Sequence, residues 1–284
     1  CSIQRRHQKV VEFTPALDIT EEQRQAICAD ALKIAGAVNY RSTGTVEFLV
    51  DKTGQHYFIE MNPRIQVEHT VTEMTTGVDI VQSQILIAQG YALDSYKINI
   101  KSQDDIQPRG YAIQCRVTTE DPINGFAPDT GTITKYTSAG GYGIRLDAGN
   151  AFANSYISPY YDSLLVKITT WARTFPDATN KAKRAVKEMK IKGVKTNRAF
   201  LLNVLNHPTF KAGNCDTGFI EDNPELLNIM AKTDKEMKVL NFLGEQYVNG
   251  NKGIKPQFDV PVHPRIKPEE VNKLAGTKQI LDEK

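Results

Sequence analysis

Two alternating runs joined by a four-residue turn constrain the fold of this chain most tightly. Residues 45–50 and 57–62 flank Asp51-Lys52-Thr53-Gly54, in which Asp can bond its own backbone and Gly accepts a positive φ. The pattern predicts a β-hairpin that ends at Pro63, a residue with no N–H to give to a ladder. Successive side chains of a strand take opposite faces, so Glu60 and Asn62 share one face. Glu47, on the neighbouring strand, can face the same side. A lone acidic residue in a strand usually meets solvent, but two on paired strands beside an amide suit a hard divalent cation. Arg64, Gln66 and Glu68 then recur at alternate positions before His69. A cation, an anion and a proton acceptor can be held together by such a segment.

The remaining chain reads as mixed helix and strand. Thr20-Glu21-Glu22-Gln23 is a capping box opening a helix with Ile27, Ala31, Ile34, Ala35 and Val38 on one stripe. Residues 70–89 are expected to form one helix, with Gly90 as its C-terminal stop. From Gly110 the pattern turns β-rich. Tyr111, Ile113, Cys115 and Val117 alternate with Ala112, Gln114, Arg116 and Thr118, which puts Arg116 on a polar face. Further strands are expected at 132–136, 143–146 and 164–169. Asp177 is expected to cap a helix through Met189, Gly193 to end that unit, and Thr196-Asn197 to cap another helix through Leu205. Arg5, Arg6, His7 and Lys9 form a basic cluster, by default a solvated charge run and alternatively an anion-binding segment. Glycines and prolines between 250 and 268 suggest a linker.

Bulk properties exclude several classes. A formal charge of +2 gives no electrostatic basis for nucleic-acid binding. No long apolar run occurs and mean hydropathy is −0.40, so no membrane span is expected. The four cysteines are widely separated and form no CxxC pair, which fits the cytoplasm better than a disulfide framework or a zinc site. Gly140-Gly141 opens no helix after a strand, so it is not a dinucleotide fingerprint. The chain begins at Cys1 within polar sequence unlike a targeting peptide, and is expected to be a fragment.

Several runs resemble the biotin carboxylase module of biotin-dependent carboxylases, which are ATP-grasp enzymes. They are Arg5-Arg6-His7-Gln8-Lys9-Val10, the stretch from Phe58 to His69 (Phe-Ile-Glu-Met-Asn-Pro-Arg-Ile-Gln-Val-Glu-His), and Thr72-Glu73-Met74. Gln114-Cys115-Arg116, Glu120-Asp121-Pro122, Tyr160-Tyr161-Asp162-Ser163 and Gly193-Val194-Lys195-Thr196-Asn197 follow in the same order. Shorter runs, among them Leu240-Asn241-Phe242-Leu243-Gly244 and Gly276-Thr277-Lys278-Gln279, resemble the connection to the carboxyltransferase region in bacterial pyruvate carboxylases. They favour that family over the acetyl-CoA and propionyl-CoA carboxylases.

The resemblance implies an α+β chain: the C-terminal half of an ATP-grasp fold, an antiparallel sheet with flanking helices, over residues 1–105. The biotin carboxylase C-terminal subdomain would follow at 106–222, then a linker at 223–270 and the start of a carboxyltransferase region at 271–284. Glu47, Glu60 and Asn62 would hold Mg²⁺ or Mn²⁺ on the phosphates of ATP. Arg64, Gln66 and Val67 would cradle bicarbonate with help from Lys9. Glu68 would be the base that deprotonates bicarbonate, and Arg116 would stabilise the biotin enolate. Gln4 and His7 would lie near the nucleotide, with Leu49 and Val194 lining the adenine pocket. Implied partners are ATP, bicarbonate and a biotinyl domain on separate sequence, within a homo-oligomer of paired modules assembling to a tetramer. Arg145 is a candidate interface charge. The parent would carboxylate biotin and then pyruvate, giving oxaloacetate. A chain without the Gly-rich lid and its ATP-contacting lysines would be inactive alone, which leaves a non-catalytic dimerisation piece as the reading from another class.

Overall fold

The computed structural model describes residues 2–149 and 151–229, together with 239, 240, 242–245 and 247. The chain divides into two compact units, residues 1–229 and 230–284. In the second, described residues 242–245 are helical. The carboxyltransferase start expected at 271–284, and the linker from 248 to 270, lie outside the described residues.

The first unit is built on a five-stranded antiparallel sheet. Its strands are β1 (Ser2–Arg5), β2 (Gln8–Thr14), β5 (Tyr111–Thr118), β10 (Ile144–Ala148) and β12 (Leu164–Ala172), in the order β1-β2-β5-β12-β10. Residues from both sides of position 105 therefore share one sheet. The expected hairpin, β3 (Thr45–Val50) and β4 (His56–Asn62), forms a separate two-stranded sheet. Ahead of it lies α1 (Glu21–Ala37), with both halves of the Thr20–Gln23 capping box in place. Short pairs complete the β structure: β6 (Glu120–Asp121) with β7 (Ala127–Pro128), β8 (Gly131–Thr132) with β11 (Tyr156–Ile157), and β9 (Lys135–Thr137) with β13 (Lys190–Lys192).

The large sheet has one apolar and one polar face. Val11, Cys115, Ile168 and Leu146 stand opposite one another on four neighbouring strands. That row belongs to the main core, where Phe13, Phe175 and Phe210 pack at centroid distances of 5.3–6.0 Å. Helices α4 (Phe175–Glu188) and α5 (Arg198–Asn206) contribute their buried residues to that core. The adjacent row, one residue along each strand, is Ser2, Glu12, Gln114, Thr169 and Arg145, polar throughout. Neighbouring threonines of β12 separate the two faces: Thr170 Oγ1 bonds the Ala178 carbonyl of α4, whereas Thr169 Oγ1 lies 2.6 Å from Thr70 Oγ1 of α2 (His69–Thr76).

Some sequence expectations needed correction. The single helix expected over 70–89 is two: Gly77 takes φ 75° after α2, and Asp79 caps α3 (Ile80–Ala88). Gly, which alone adopts that conformation without strain, stops a periodic pattern that otherwise runs on. The strand expected at 132–136 is split between β8 and β9, which pair with different partners. Thr174, three residues earlier than expected, caps α4, and Asp177 lies at its third position. Asn197 makes no capping bond; its side chain bonds the Thr118 N–H at 3.0 Å and the Arg116 carbonyl at 2.9 Å. None of the residues of α1 is buried, so its apolar stripe finds no core. Val46 and Phe48, the neighbours of Glu47 on β3, are half-buried. Pro224–Leu227 forms a 3₁₀ turn that puts Leu226 in the core.

Three substitutions test this account. Gly193 takes φ 101°, and a Cβ there would lie 2.1 Å from the Thr132 carbonyl oxygen, whereas one at Gly36 in α1 meets nothing within 4 Å. Gly193→Ala is expected to lower stability by more than ~1 kcal/mol, and Gly36→Ala to raise it by about 0.5–1 kcal/mol, in urea unfolding. Asn197→Ala orphans a backbone donor and an acceptor in the interior and is expected to cost about 2–4 kcal/mol by the same measurement.

Candidate functional site

The site lies where the polar face of the large sheet meets the β3–β4 hairpin. Hairpin register places Glu47 directly opposite Glu60 and Thr45 opposite Asn62, with a bulge after Glu47. Like charges so placed repel unless something positive lies between them. Asn62 Nδ2 reaches both, at 2.8 Å from Glu60 Oε1 and 3.3 Å from Glu47 Oε1. Gln66 Nε2 and Lys9 Nζ also donate to Glu47 Oε1, at 2.9 and 2.7 Å. Burial works against the Glu47 charge, but the Gln66 and Lys9 bonds outweigh it and hold its pKa below the ordinary value.

The basic cluster at the start of the chain separates into distinct places. Arg6 and His7, with φ of 48° and 65°, are the two exposed turn residues between β1 and β2. Both angles positive is the conformation that suits a two-residue hairpin. Arg5 stacks over Phe126 with its guanidinium carbon 3.9 Å from the ring centroid. Only Lys9 of this cluster bonds site carboxylates, Glu47 at 2.7 Å and Glu68 at 2.5 Å. Burial disfavours its charge, yet those two bonds prevail and raise its pKa above the lysine norm. The solvated-run reading thus describes Arg6 and His7 but not Lys9.

Glu68 occupies the N-cap position of α2 without bonding the helix end. Its carboxylate is free to turn to the sheet, where Oε1 meets Lys9 and Oε2 meets Arg116 Nη2 at 3.0 Å. The same Arg116 nitrogen lies 2.5 Å from Glu12 Oε1. Carboxylates and cations therefore alternate in a chain: Glu47, Lys9, Glu68, Arg116, Glu12.

The other expected residues are more dispersed. Arg64 is exposed, and its Nη1 bonds the neighbouring Ile65 carbonyl at 3.2 Å. The Val67 carbonyl accepts from Lys167 Nζ at 3.1 Å. Gln4 and Leu49 line one open cleft together with Lys9, Glu47, Gln66 and Glu68. His7 and Val194 are not among the residues lining it; Val194 packs against the main core. Two buried contributors escaped the sequence reading, Glu12 and Gln114. Glu12 had a signal, a carboxylate inside the apolar run Val10-Val11-Glu12-Phe13.

The donor set fits a hard cation. Glu47, Glu60 and Asn62 offer oxygen ligands on one face, and half a turn of the Asn62 amide would present its oxygen to the same point. Among the described residues no group of three or more His, Cys, Asp or Glu forms a ready metal cage. The set is thus a partial shell, of the kind Mg²⁺ completes with water and phosphate oxygens.

Comparison with known proteins agrees with this geometry. Residues 1–96 match the family profile described as carbamoyl-phosphate synthase L chain, ATP binding domain, and residues 114–222 match biotin carboxylase C-terminal domain. Pyruvate carboxylase of Bacillus subtilis is 54% identical over 100% of this chain, and that of Staphylococcus aureus 50% identical over 100%. The chain spans 25% of the length of each. A solved Rhizobium etli pyruvate carboxylase superposes with a TM-score of 0.83 at 50% identity, over 89% of this chain and 24% of that one. The biotin carboxylase domain dimer of Hydrogenobacter thermophilus 2-oxoglutarate carboxylase, in complex with MgADP and bicarbonate, gives 0.76 at 45% identity, over 80% of this chain and 49% of that one. Residues 114–222 thus belong to the biotin carboxylase C-terminal domain family, and the chain is homologous along its whole length to about a quarter of the pyruvate carboxylase polypeptide.

Proposed function

We propose that this chain carries the metal, bicarbonate and biotin half of a biotin-carboxylating site, within a longer protein that uses Mg-ATP and bicarbonate to carboxylate biotin and then pyruvate. The observation that carries the reading is the alternating chain from Glu47 to Arg116, which puts a metal-type carboxylate, a lysine, a candidate base and a guanidinium in one line of contacts. Pyruvate as acceptor is supported by relatives that match 100% of the chain, its tail included.

Each residue then has a physical task. Glu47, Glu60 and Asn62 would hold a divalent cation, which when bound neutralises phosphate oxygens of ATP. Lys9, Arg64 and Gln66 offer N–H donors to bicarbonate, with the guanidinium fork able to bind two oxygens. Glu68 takes the bicarbonate proton as the bicarbonate oxygen attacks the terminal phosphorus and ADP leaves. Lys9 and Arg116 contact the Glu68 carboxylate and keep negative charge tolerable where three anions meet. Gln4 and Leu49, on the cleft wall, would lie towards the nucleotide, with His7 and Val194 at greater remove. Arg116 on the polar face is placed to stabilise a biotin enolate. A homo-oligomer is the proposed assembly, since one relative is described as a domain dimer.

Two measurements test the reading. In the full-length polypeptide, Glu68→Gln is expected to lower bicarbonate-dependent ATP cleavage by about 10²–10⁴-fold, the usual range for losing a general base. Unchanged turnover would remove Glu68 from the chemistry. Mn²⁺ titration of the same protein with ADP, followed by electron paramagnetic resonance, is expected to show at least tenfold weaker binding for Glu47→Gln and for Glu60→Gln. Affinity equal to wild type in both variants would place the cation elsewhere.

A further inference from the structure

The proposed function gives Glu12 no task, yet Glu12 is the most deeply buried carboxylate in contact with the site. It is 3% exposed, and its two oxygens meet different residues of β5. Oε1 lies 2.5 Å from Arg116 Nη2, and Oε2 accepts from Gln114 Nε2 at 3.0 Å. Gln114 is itself fixed, because its Oε1 accepts from Thr70 Oγ1 at 2.5 Å, and Thr70 Oγ1 lies 2.6 Å from Thr169 Oγ1. Gln114 and Thr70 are fully buried. Glu12 thus stands on a polar row that crosses β2, β5 and β12 and is braced by the first turn of α2.

A buried carboxylate with a stability role alone is a poor choice, since an apolar residue would serve at least as well. Desolvation pushes the Glu12 carboxyl up to about 7 despite the attraction of Arg116. What the arrangement gains is a fixed guanidinium. Arg116 Nη2 is shared between Glu12 at 2.5 Å and Glu68 at 3.0 Å. Glu68 is the partner that takes a proton in the proposed reaction, so Arg116 needs a second anchor that takes no part in that transfer. The carboxylate of Glu12 sits behind it for that purpose. The Arg116 carbonyl is held as well, by Asn197 Nδ2 at 2.9 Å, so backbone and side chain are both tethered.

We propose that Glu12 is a positioning residue, which holds the Arg116 guanidinium in place independently of Glu68 and acts on carboxylation only through Arg116. This rests on the function proposed above. The test is a double-variant cycle in the full-length polypeptide, measuring bicarbonate-dependent ATP cleavage and carboxylation of free biotin. Glu12→Gln keeps the shape and the Gln114 contact but removes the charge; it is expected to lower kcat tenfold or more with the KM for ATP within twofold of wild type. Arg116→Lys is expected to cause a loss at least as large. The variant carrying both is expected to be no slower than Arg116→Lys alone, because groups acting as one unit are not additive. Losses that multiply, or wild-type kcat in Glu12→Gln, overturn the positioning role while leaving the function intact. A fall in activity matched by a loss of folded protein in thermal unfolding, with no coupling to Arg116→Lys, likewise overturns it. Absence of bicarbonate-dependent ATP cleavage in the wild type refutes the proposed function, and the positioning role with it.

Discussion

Charge burial on one face of the large sheet is the constraint to which the rest of the site answers. Removing Arg116 and Glu12 from water costs several kcal/mol per ion unless each finds a well-placed counter-charge and further hydrogen bonds. The protein meets that demand by register. Antiparallel pairing sets Glu12, Gln114, Thr169 and Arg145 side by side, with Arg116, Lys167 and Asp147 in the next row of the same face. The charges in these rows answer one another: Arg116 to Glu12 and Glu68, and Arg145 to Glu73 and Asp147 at 2.5 and 2.9 Å. Helix α2 covers this face with Thr70 in its first turn and Glu73 in its second, so a helix of only eight residues closes both networks.

The two faces divide the work of the fold. The apolar face binds the strands to α4 and α5 through a continuous core, and carries the hydrophobic stabilisation. That leaves the opposite face able to hold polar groups whose net contribution to stability is small. The hairpin adds the metal-type carboxylates from outside this core. Tyr57, Phe58 and Ile59 of β4 are about half exposed, and β3 and β4 are held chiefly by their own ladder. Contact between the layers at the site is ionic: Lys9 of β2 reaches Glu47 of β3, and Glu68 at the end of the segment after Pro63 reaches both Lys9 and Arg116.

Much of this was legible because it obeys short-range rules. The capping box at Thr20, the hairpin around Asp51-Lys52-Thr53-Gly54, and the alternation from Tyr111 to Thr118 all appear as read. Each is specified by residues within one turn or one strand. The failures share a different cause. Asn197 looks like a helix cap and instead binds backbone of β5, some eighty residues earlier in the chain. Residues 70–89 look like one periodic helix, and Gly77 ends it where Glu73 must turn to Arg145 and to the N–H of Ile80. A local pattern gives no sign that a polar side chain has a distant partner.

Glu47, Glu60 and Asn62 could be named as candidates from sequence because strand alternation alone puts like-facing side chains at every second position, whereas Gln66 and Glu68 lie beyond the strand, in the turn that leads into α2. Sequence also placed Arg116 on a polar face, since the apolar residues around it claim the other. Only the tertiary structure decided which cation meets which carboxylate. Lys9 and Arg6 are three residues apart in one basic cluster, yet one enters the site and the other turns to solvent, because a two-residue turn falls between β1 and β2. Glu12 and Arg116 are adjacent only because β2 pairs with β5 across ninety-six intervening residues. Ion pairing depends on distance in space, and that distance is set by register and packing rather than by separation along the chain.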